Sequence, residues 1–416
     1  MAASVTQNRK KPDEQGRSGS ESAKRDFRQG MKVLVTGSFL QLLLGILYVW
    51  SVFVQPVSAE FGWSAEGAKL TSSFMLSFFV VGILTGGKLL AVMRSERIVL
   101  LGGLMLGSGM LITAFLPKEL AWAIYITYGI IGGFGVGAAY NAIISAAQKW
   151  FPQNRGFATG ISVCAFGFST VLFAPLIEAL IGRFGLRNTF VILGAVFVIA
   201  VAALFRFIKM PGESGAAGGA SSELMQKKQF TVLQAVKTKE FYFLTLSLMF
   251  ATAAYFILNP SFKTLAAERG LGEAFGTAVV MLTGVANALG RLGTPLLSDK
   301  IGREKATMTI ILATAVCAVL LSFVNGFLFI AAIAVIAFCY GGYSGIYPVL
   351  TADYFGIKNV GSNYGAVMVG FALSALTFPM AAGLITDVAV KFIALGVLAA
   401  MGAALVVMLM KSKLKG

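Results

Sequence analysis

The chain has 416 residues, of which 57% are hydrophobic and only 12% charged, with a formal net charge of +16 and a mean hydropathy of +0.81. A soluble domain of this length could not tolerate so much apolar side chain on its surface, so the composition specifies a polytopic membrane protein. Histidine is absent, which excludes histidine catalysis, histidine proton relays and ordinary zinc sites; Cys164, Cys317 and Cys339 lie inside apolar runs without paired spacing, which argues against a disulfide framework.

Residues 1–31 are polar, Ser/Gly-rich and mildly basic, and are expected to form a disordered tail; a secretory signal would carry its apolar core much nearer Met1. Apolar runs long enough to cross a bilayer follow near 32–56, 70–93, 97–116, 120–149, 155–181 and 188–208. A polar linker occupies 209–240. It is Gly/Ala/Ser-rich at first, and its later part, FTVLQAVKTKEF, reads as an amphipathic surface helix. Six further runs lie near 241–262, 274–297, 304–323, 326–352, 361–386 and 389–410, before a short tail at 411–416. The expected fold is therefore an all-α membrane protein with twelve transmembrane helices in two six-helix bundles, 32–208 and 241–410.

Twelve crossings place both termini on one side. Lysine and arginine concentrate in the loops of that side, among them Arg94, Arg97, Lys149, Arg155, Lys227, Lys228, Lys300, Arg303 and Lys305. The positive-inside rule makes it cytoplasmic, and the expected location is the cell (inner) membrane. The positive charge then reflects anionic lipid, with the bilayer as a partner and no nucleic acid. The halves also repeat in the same order. Ala59-Glu60-Phe61-Gly62 matches Ala267-Glu268-Arg269-Gly270, Trp150-Phe151-Pro152 matches Tyr354-Phe355-Gly356, Gly137 meets Gly341 and Pro175 meets Pro379. Such a repeat is expected of a transporter whose two bundles rock about a central site.

Within the eighth run, Arg291 stands out. An ionised guanidinium in the middle of a spanning segment costs several kcal/mol unless it faces water, carbonyls or an anion, so it marks a functional site by default. Asp299, at the charged end of this segment, lies eight residues on, about 12 Å along a helix, which makes snorkelling to the interface a stretch. Asn287 is one turn earlier on the same face. An anion-binding role is the first hypothesis; capping of neighbouring helix carbonyls is the plainer alternative.

The stretch GRLGTPLLSDKIGR after the eighth run resembles the cytoplasmic loop signature of the major facilitator superfamily, in which an Asp, a Gly and basic residues form a tight turn with charge pairing between helices. That resemblance implies gating roles for Asp299, Arg303 and Arg155. The first-half counterpart, GKLLAVMRSER, departs from the signature with Ala91 where the Asp is expected. QLLLGILYVWSVF, KWFPQNRGFATG, ANALGRLG and YPVLTADYFGIKNVGSNYG together resemble the oxalate/formate antiporter family and bacterial monocarboxylate transporters related to it, from about Lys32 to Leu409.

The resemblance implies that Arg291 holds a substrate carboxylate, through a fork that pairs with a planar carboxylate in a low-dielectric cavity. It puts Asn287 where the related animal carriers place an Asp used in proton coupling. It also puts Phe371 where the oxalate-exchanging branch carries a second cation, and one buried cation suits a monoanion. Tyr48 and Tyr140 match cavity-lining aromatics; Tyr340, Tyr343 and Tyr347 recur at helical spacing on the tenth run; and Leu44, Gly45 and Leu47 would supply an apolar wall. Several features have plainer readings. Gly129, Gly133 and Gly137 allow close helix approach, Lys88 snorkels, and Glu178 and Asp387 are loop carboxylates. The resulting expectation is a secondary transporter of small monocarboxylates (lactate, pyruvate or formate class) working as a monomer by proton symport or anion exchange, with no cofactor beyond a coupling proton. An oxalate/formate antiporter is the runner-up; a carboxylate sensor or channel is the alternative of another class. Nothing in the sequence resembles an enzyme's nucleophile, base or metal cluster.

Overall fold

The computed structural model of the protein describes residues 12–211, 229–259, 265 and 273–412, which are helical with no strand among them. In chain order the helices are α1 (Pro12–Leu44), α2 (Trp50–Phe61), α3 (Ala65–Leu89), α4 (Ser95–Ala114), α5 (Gly133–Trp150), α6 (Arg155–Leu204) and α7 (Val232–Ala235). They are followed by α8 (Lys239–Leu258), α9 (Glu273–Ile301), α10 (Arg303–Leu320), α11 (Gly326–Phe355), α12 (Val360–Val367), α13 (Val369–Gly383) and α14 (Val388–Met410).

Nine described helices are long and apolar enough to cross a membrane. The run Arg155–Phe207 is one of them by length, but at Gly185 the backbone turns to φ 78°, which glycine tolerates, and the run divides into two crossings. Gly302, with φ 96°, separates α9 from α10 in the same way. α9 carries Asn287 and Arg291 within its apolar run and α10 begins on Arg303, Glu304 and Lys305, so both are less apolar than their neighbours while having the length to span. Together these make the twelve expected crossings.

Caps explain several helix starts. Ser64 accepts from the Gly67 amide at 3.0 Å, Thr238 caps α8, and Asp387 accepts from Ala389 and Val390, so that carboxylate has a structural task. Two expectations are corrected. The stretch 12–31 is helical, because Pro12 opens a helix that runs straight into the first crossing; residues 1–11 lie outside the described residues. The surface helix of the linker is a single turn, α7, opened by a Thr231/Gln234 capping box and stopped before Thr238 caps the next crossing. Residues 212–228 of the linker lie outside the described residues.

Helices α1 to α6 pack mainly on one another, as do α8 to α14, giving two bundles. They meet where α6 lies along α9 and α11, and where α3 lies along α12 and α13. Large apolar side chains such as Leu101, Ile112, Ile199, Val316 and Val397 remain exposed on the outer helices, as a lipid-facing belt requires. The repeat is visible in atomic detail. A Cβ at Gly137 would stand 1.9 Å from the Phe79 carbonyl oxygen, and one at Gly341 1.9 Å from that of Asn287; Gly82 against Phe134 and Gly290 against Phe338 form the reciprocal contacts. A Cβ at Gly133 would stand 2.4 Å from Met75 O, so the stripe on the fourth crossing packs, as expected. Pro175 and Pro379 both sit inside helices, while 267–270, the partner of 59–62, lies outside the described residues.

Candidate functional site

Three crossings depart from regular α-helix. The first switches to a 3-10 turn at Gly45–Val49, the fourth begins as a π-helix over Tyr125–Gly132, and the eleventh breaks between α12 and α13 at Met368. Such irregular turns re-aim side chains and frequently mark functional regions. Here the first carries Tyr48 inward, and the break at Met368 precedes Phe371.

Arg291 is 1% exposed and its guanidinium lies between the bundles. Its Nε donates to Asn287 Oδ1 at 2.8 Å, within its own helix. The two terminal nitrogens reach across: one donates to the Val163 carbonyl at 3.5 Å, the other to the Tyr48 hydroxyl at 3.3 Å. The group also lies over the rings of Tyr48 (5.4 Å) and Phe166 (5.5 Å). Room for it comes from Gly167, where a Cβ would stand 2.7 Å from Arg291 Cδ. Among the described residues no carboxylate forms an ion pair with Arg291, so the charge is met by dipoles and π faces alone.

The surrounding tyrosines divide into two sets. Tyr48 and Tyr340 place their hydroxyls 3.4 Å apart, and Tyr340 stacks on Tyr255 with centroids 3.7 Å apart; Asn287 Nδ2 donates to the Tyr255 hydroxyl at 3.4 Å. This set joins Arg291, Tyr48 by its own hydroxyl and Tyr255 through Asn287. Tyr343 and Tyr347 do not: their hydroxyls bond to Thr314 and Ile310 O, and to Ser247, inside the C-terminal bundle. Their predicted role is thus narrowed to lining a small cavity with their rings. Tyr48, Phe79, Tyr140, Tyr364, Met368 and Phe371 line it as well. Phe371 packs edge-on against Phe256, so the position expected to lack a second cation is apolar in its surroundings too. Leu44 and Leu47 are buried in the core and do not line this small cavity. A Cβ at Gly45 would stand 2.1 Å from Phe166 O, so the turn is pressed onto α6.

On the side carrying the termini, Arg155 pairs with Asp353, Arg303 pairs with Asp299 and lies 3.4 Å from Asp353, and a Cβ at Gly156 would stand 2.6 Å from the Asp299 carboxylate. The three predicted gating residues therefore belong to one cluster that spans the bundles, with Asp353 as the acid the sequence reading did not single out. Lys88 and Glu178 are exposed and take no part in the central site. Tyr255, Phe166, Gly167 and Tyr364 were also missed. They carry no charge, and only Tyr364 lay in a quoted motif.

The model of the Major Facilitator Superfamily matches residues 34–379 and 244–415. The chain belongs to that superfamily. It is 28% identical over 336 residues to the oxalate:formate antiporter of Oxalobacter formigenes, covering 78% of this chain and 77% of that protein. It is 25% identical to the uncharacterized MFS-type transporter YhjX of Escherichia coli K12 (81% and 83% covered) and 24% identical to monocarboxylate transporter 12 of Xenopus laevis (70% and 67% covered). In fold it is similar to the proton:xylose symporter XylE, with a TM-score of 0.70 at 15% identity over 91% of this chain and 95% of that one. The outward-conformation structure of FucP gives 0.67 at 14% identity, over 91% and 99%. These relatives and neighbours are transporters, and none is an enzyme.

Proposed function

We propose that the protein is a secondary transporter of small monocarboxylates of the lactate, pyruvate or formate class, working by alternating access as a monomer in the cell membrane with its termini cytoplasmic. The observation that carries this reading is the burial of Arg291 with no ion pair to any carboxylate among the described residues. A charge held only by neutral groups at the junction of two bundles is incompletely compensated, and a substrate carboxylate supplies the missing anion. The edge it approaches is the pair of terminal nitrogens, since Nε is already committed to Asn287 while the other contacts, at 3.3 and 3.5 Å, are long and displaceable.

Both displaced groups, Val163 O and Tyr48, belong to the N-terminal bundle. A bound carboxylate thus stands between the halves, as a carrier that exposes its site alternately to either face needs. The rest of the substrate extends past Tyr48 toward the cavity. The apolar packing of Phe371 leaves a second carboxylate without a cation, which disfavours oxalate. The energy source is proton symport or anion exchange. Asn287 does not titrate, so a coupled proton travels on the substrate or on a carboxylate away from Arg291.

Proteoliposomes loaded with unlabelled substrate test this reading by uptake of labelled lactate, pyruvate, formate and oxalate, with and without a pH gradient. Saturable uptake of the monocarboxylates with weak uptake of oxalate is expected. Failure to transport any of the monocarboxylates contradicts the proposal.

A further inference from the structure

Apart from the ion-pair cluster, a second set of bonds ties the bundles together on the side carrying the termini, and it contains no charge. Asn141, on α5, is 1% exposed. Its Nδ2 donates to two carbonyls, Ile83 O of its own bundle at 2.7 Å and Gly361 O of the opposite bundle at 2.8 Å. Its Oδ1 accepts from Ser145 at 3.4 Å, so the amide uses both donors and an acceptor. Beside it, Ser362 of α12 donates to Gly87 O of α3 at 2.7 Å. The backbones touch here: a Cβ at Gly87 would stand 2.4 Å from Gly361 O.

The repeat makes this arrangement asymmetric. Shifted by the 204 residues that relate Gly137 to Gly341, Asn141 falls on Gly345, where a Cβ would stand 2.5 Å from the Arg291 carbonyl oxygen and no amide is available. One half of the interface, α6 against α9 and α11, is therefore closed by charges. The other, α3 and α5 against α12, is closed by an amide between two carbonyls.

We infer that Asn141 is a neutral latch that holds the transporter closed on the side of its termini, acting together with the Ser362–Gly87 bond and separately from the Arg155–Asp353 cluster. The two devices respond differently to conditions. The cluster is partly solvent-exposed, with side-chain exposures of 11% and 27% for Arg155 and Asp353, so salt screens it. Buried hydrogen bonds between uncharged groups are not screened. Opening this face breaks the Asn141–Gly361 and Ser362–Gly87 bonds while Asn141 keeps Ile83, so the latch resets without unfolding any helix. The inference rests on the alternating-access part of the proposed function and not on the substrate.

The test is a distance measurement by double electron–electron resonance on the purified full-length protein in nanodiscs without substrate. Spin labels go on Lys88→Cys and Lys358→Cys, both exposed, in a background with Cys164, Cys317 and Cys339 replaced by Ala. The control protein, with its latch intact, is expected to give mainly one short distance, retained at 1 M salt. Asn141→Ala should raise the long-distance, open population roughly fivefold, the scale of losing one buried hydrogen bond, with a larger rise at high salt where the charged cluster no longer helps. Ser362→Ala should act in the same direction. Should Asn141→Ala elute as an aggregate, Ser362→Ala decides the matter. A distance distribution unchanged by the decisive variant at both low and high salt overturns the latch.

Discussion

Arg291 donates its Nε hydrogen to Asn287 Oδ1 at 2.8 Å, one turn back on the same helix. That bond anchors the guanidinium to its own bundle and leaves the terminal nitrogens, the edge suited to a carboxylate, aimed at the other. A neutral amide does this without cancelling the positive charge.

Replacing that amide by an acid reverses the logic. Asn287→Asp puts an ionised carboxylate on Arg291 and competes with the substrate for its charge. At neutral pH the affinity for monocarboxylate is expected to fall by about tenfold or more, the size of an ordinary close charge interaction. The adjacent Arg favours the ionised form of the new acid, so uptake should recover only as the pH is lowered and the acid is protonated. A pH profile of uptake by this variant, set against the unmodified protein, checks both the loss and its direction; a superimposable profile contradicts the arrangement.

The division of the tyrosines gives a second expectation. Tyr255→Phe removes the hydroxyl that accepts from Asn287 and should raise KM several-fold, whereas Tyr48→Phe removes a bond to Arg291 that the substrate must displace and should lower KM several-fold, both on the scale of about 1 kcal/mol for a buried hydrogen bond. Tyr343→Phe and Tyr347→Phe remove hydroxyls bonded to Thr314 and Ser247, and should lower the melting temperature while leaving KM within about twofold. Kinetics and thermal melts on the four variants separate the sets. A KM effect at Tyr343 as large as that at Tyr48 would count against the division.

Phe371 bears on valence. Oxalate is expected to compete weakly with lactate in the unmodified protein, because its second charge finds no cation. Phe371→Lys introduces one, at a cost in stability for an unpaired buried charge, and should improve oxalate competition relative to lactate. Competition curves at neutral pH for both proteins provide the check, and tight oxalate binding by the unmodified protein contradicts the monoanion reading.

Close packing under the site yields a structural prediction. A methyl at Gly341 would stand 1.9 Å from the carbonyl oxygen of Asn287. Gly341→Ala must therefore push α9 away from α11, with a cost of at least about 1–3 kcal/mol as overpacking and displacement of Arg291. Gly383, with nothing within 4 Å of its Cβ position, is the matched control and should be tolerated. Thermal stability and substrate binding of the two variants test the contrast.

Much of this was legible in the sequence because charge and hydropathy are strong signals in a membrane protein. The twelve crossings, the repeat and the isolation of Arg291 follow from where polar residues interrupt apolar runs. The irregular turns at Gly45–Val49 and Met368 were not legible, since tertiary packing and not local propensity unwinds them. Nor was the fate of each tyrosine. Tyr340, Tyr343 and Tyr347 share a helix and a spacing, yet Thr314 and Ser247 claim two of the hydroxyls, and those partners come from other helices. Tyr255 and Gly167 carry no sequence signal of their own. Their places at the site come from stacking on Tyr340 and from making room for Arg291.

The most direct measurement is uptake of labelled lactate, pyruvate and formate into proteoliposomes containing equal amounts of correctly inserted unmodified protein or Arg291→Ala. The account predicts saturable uptake of a monocarboxylate by the first and only background flux by the second. Equal rates in the two would contradict it.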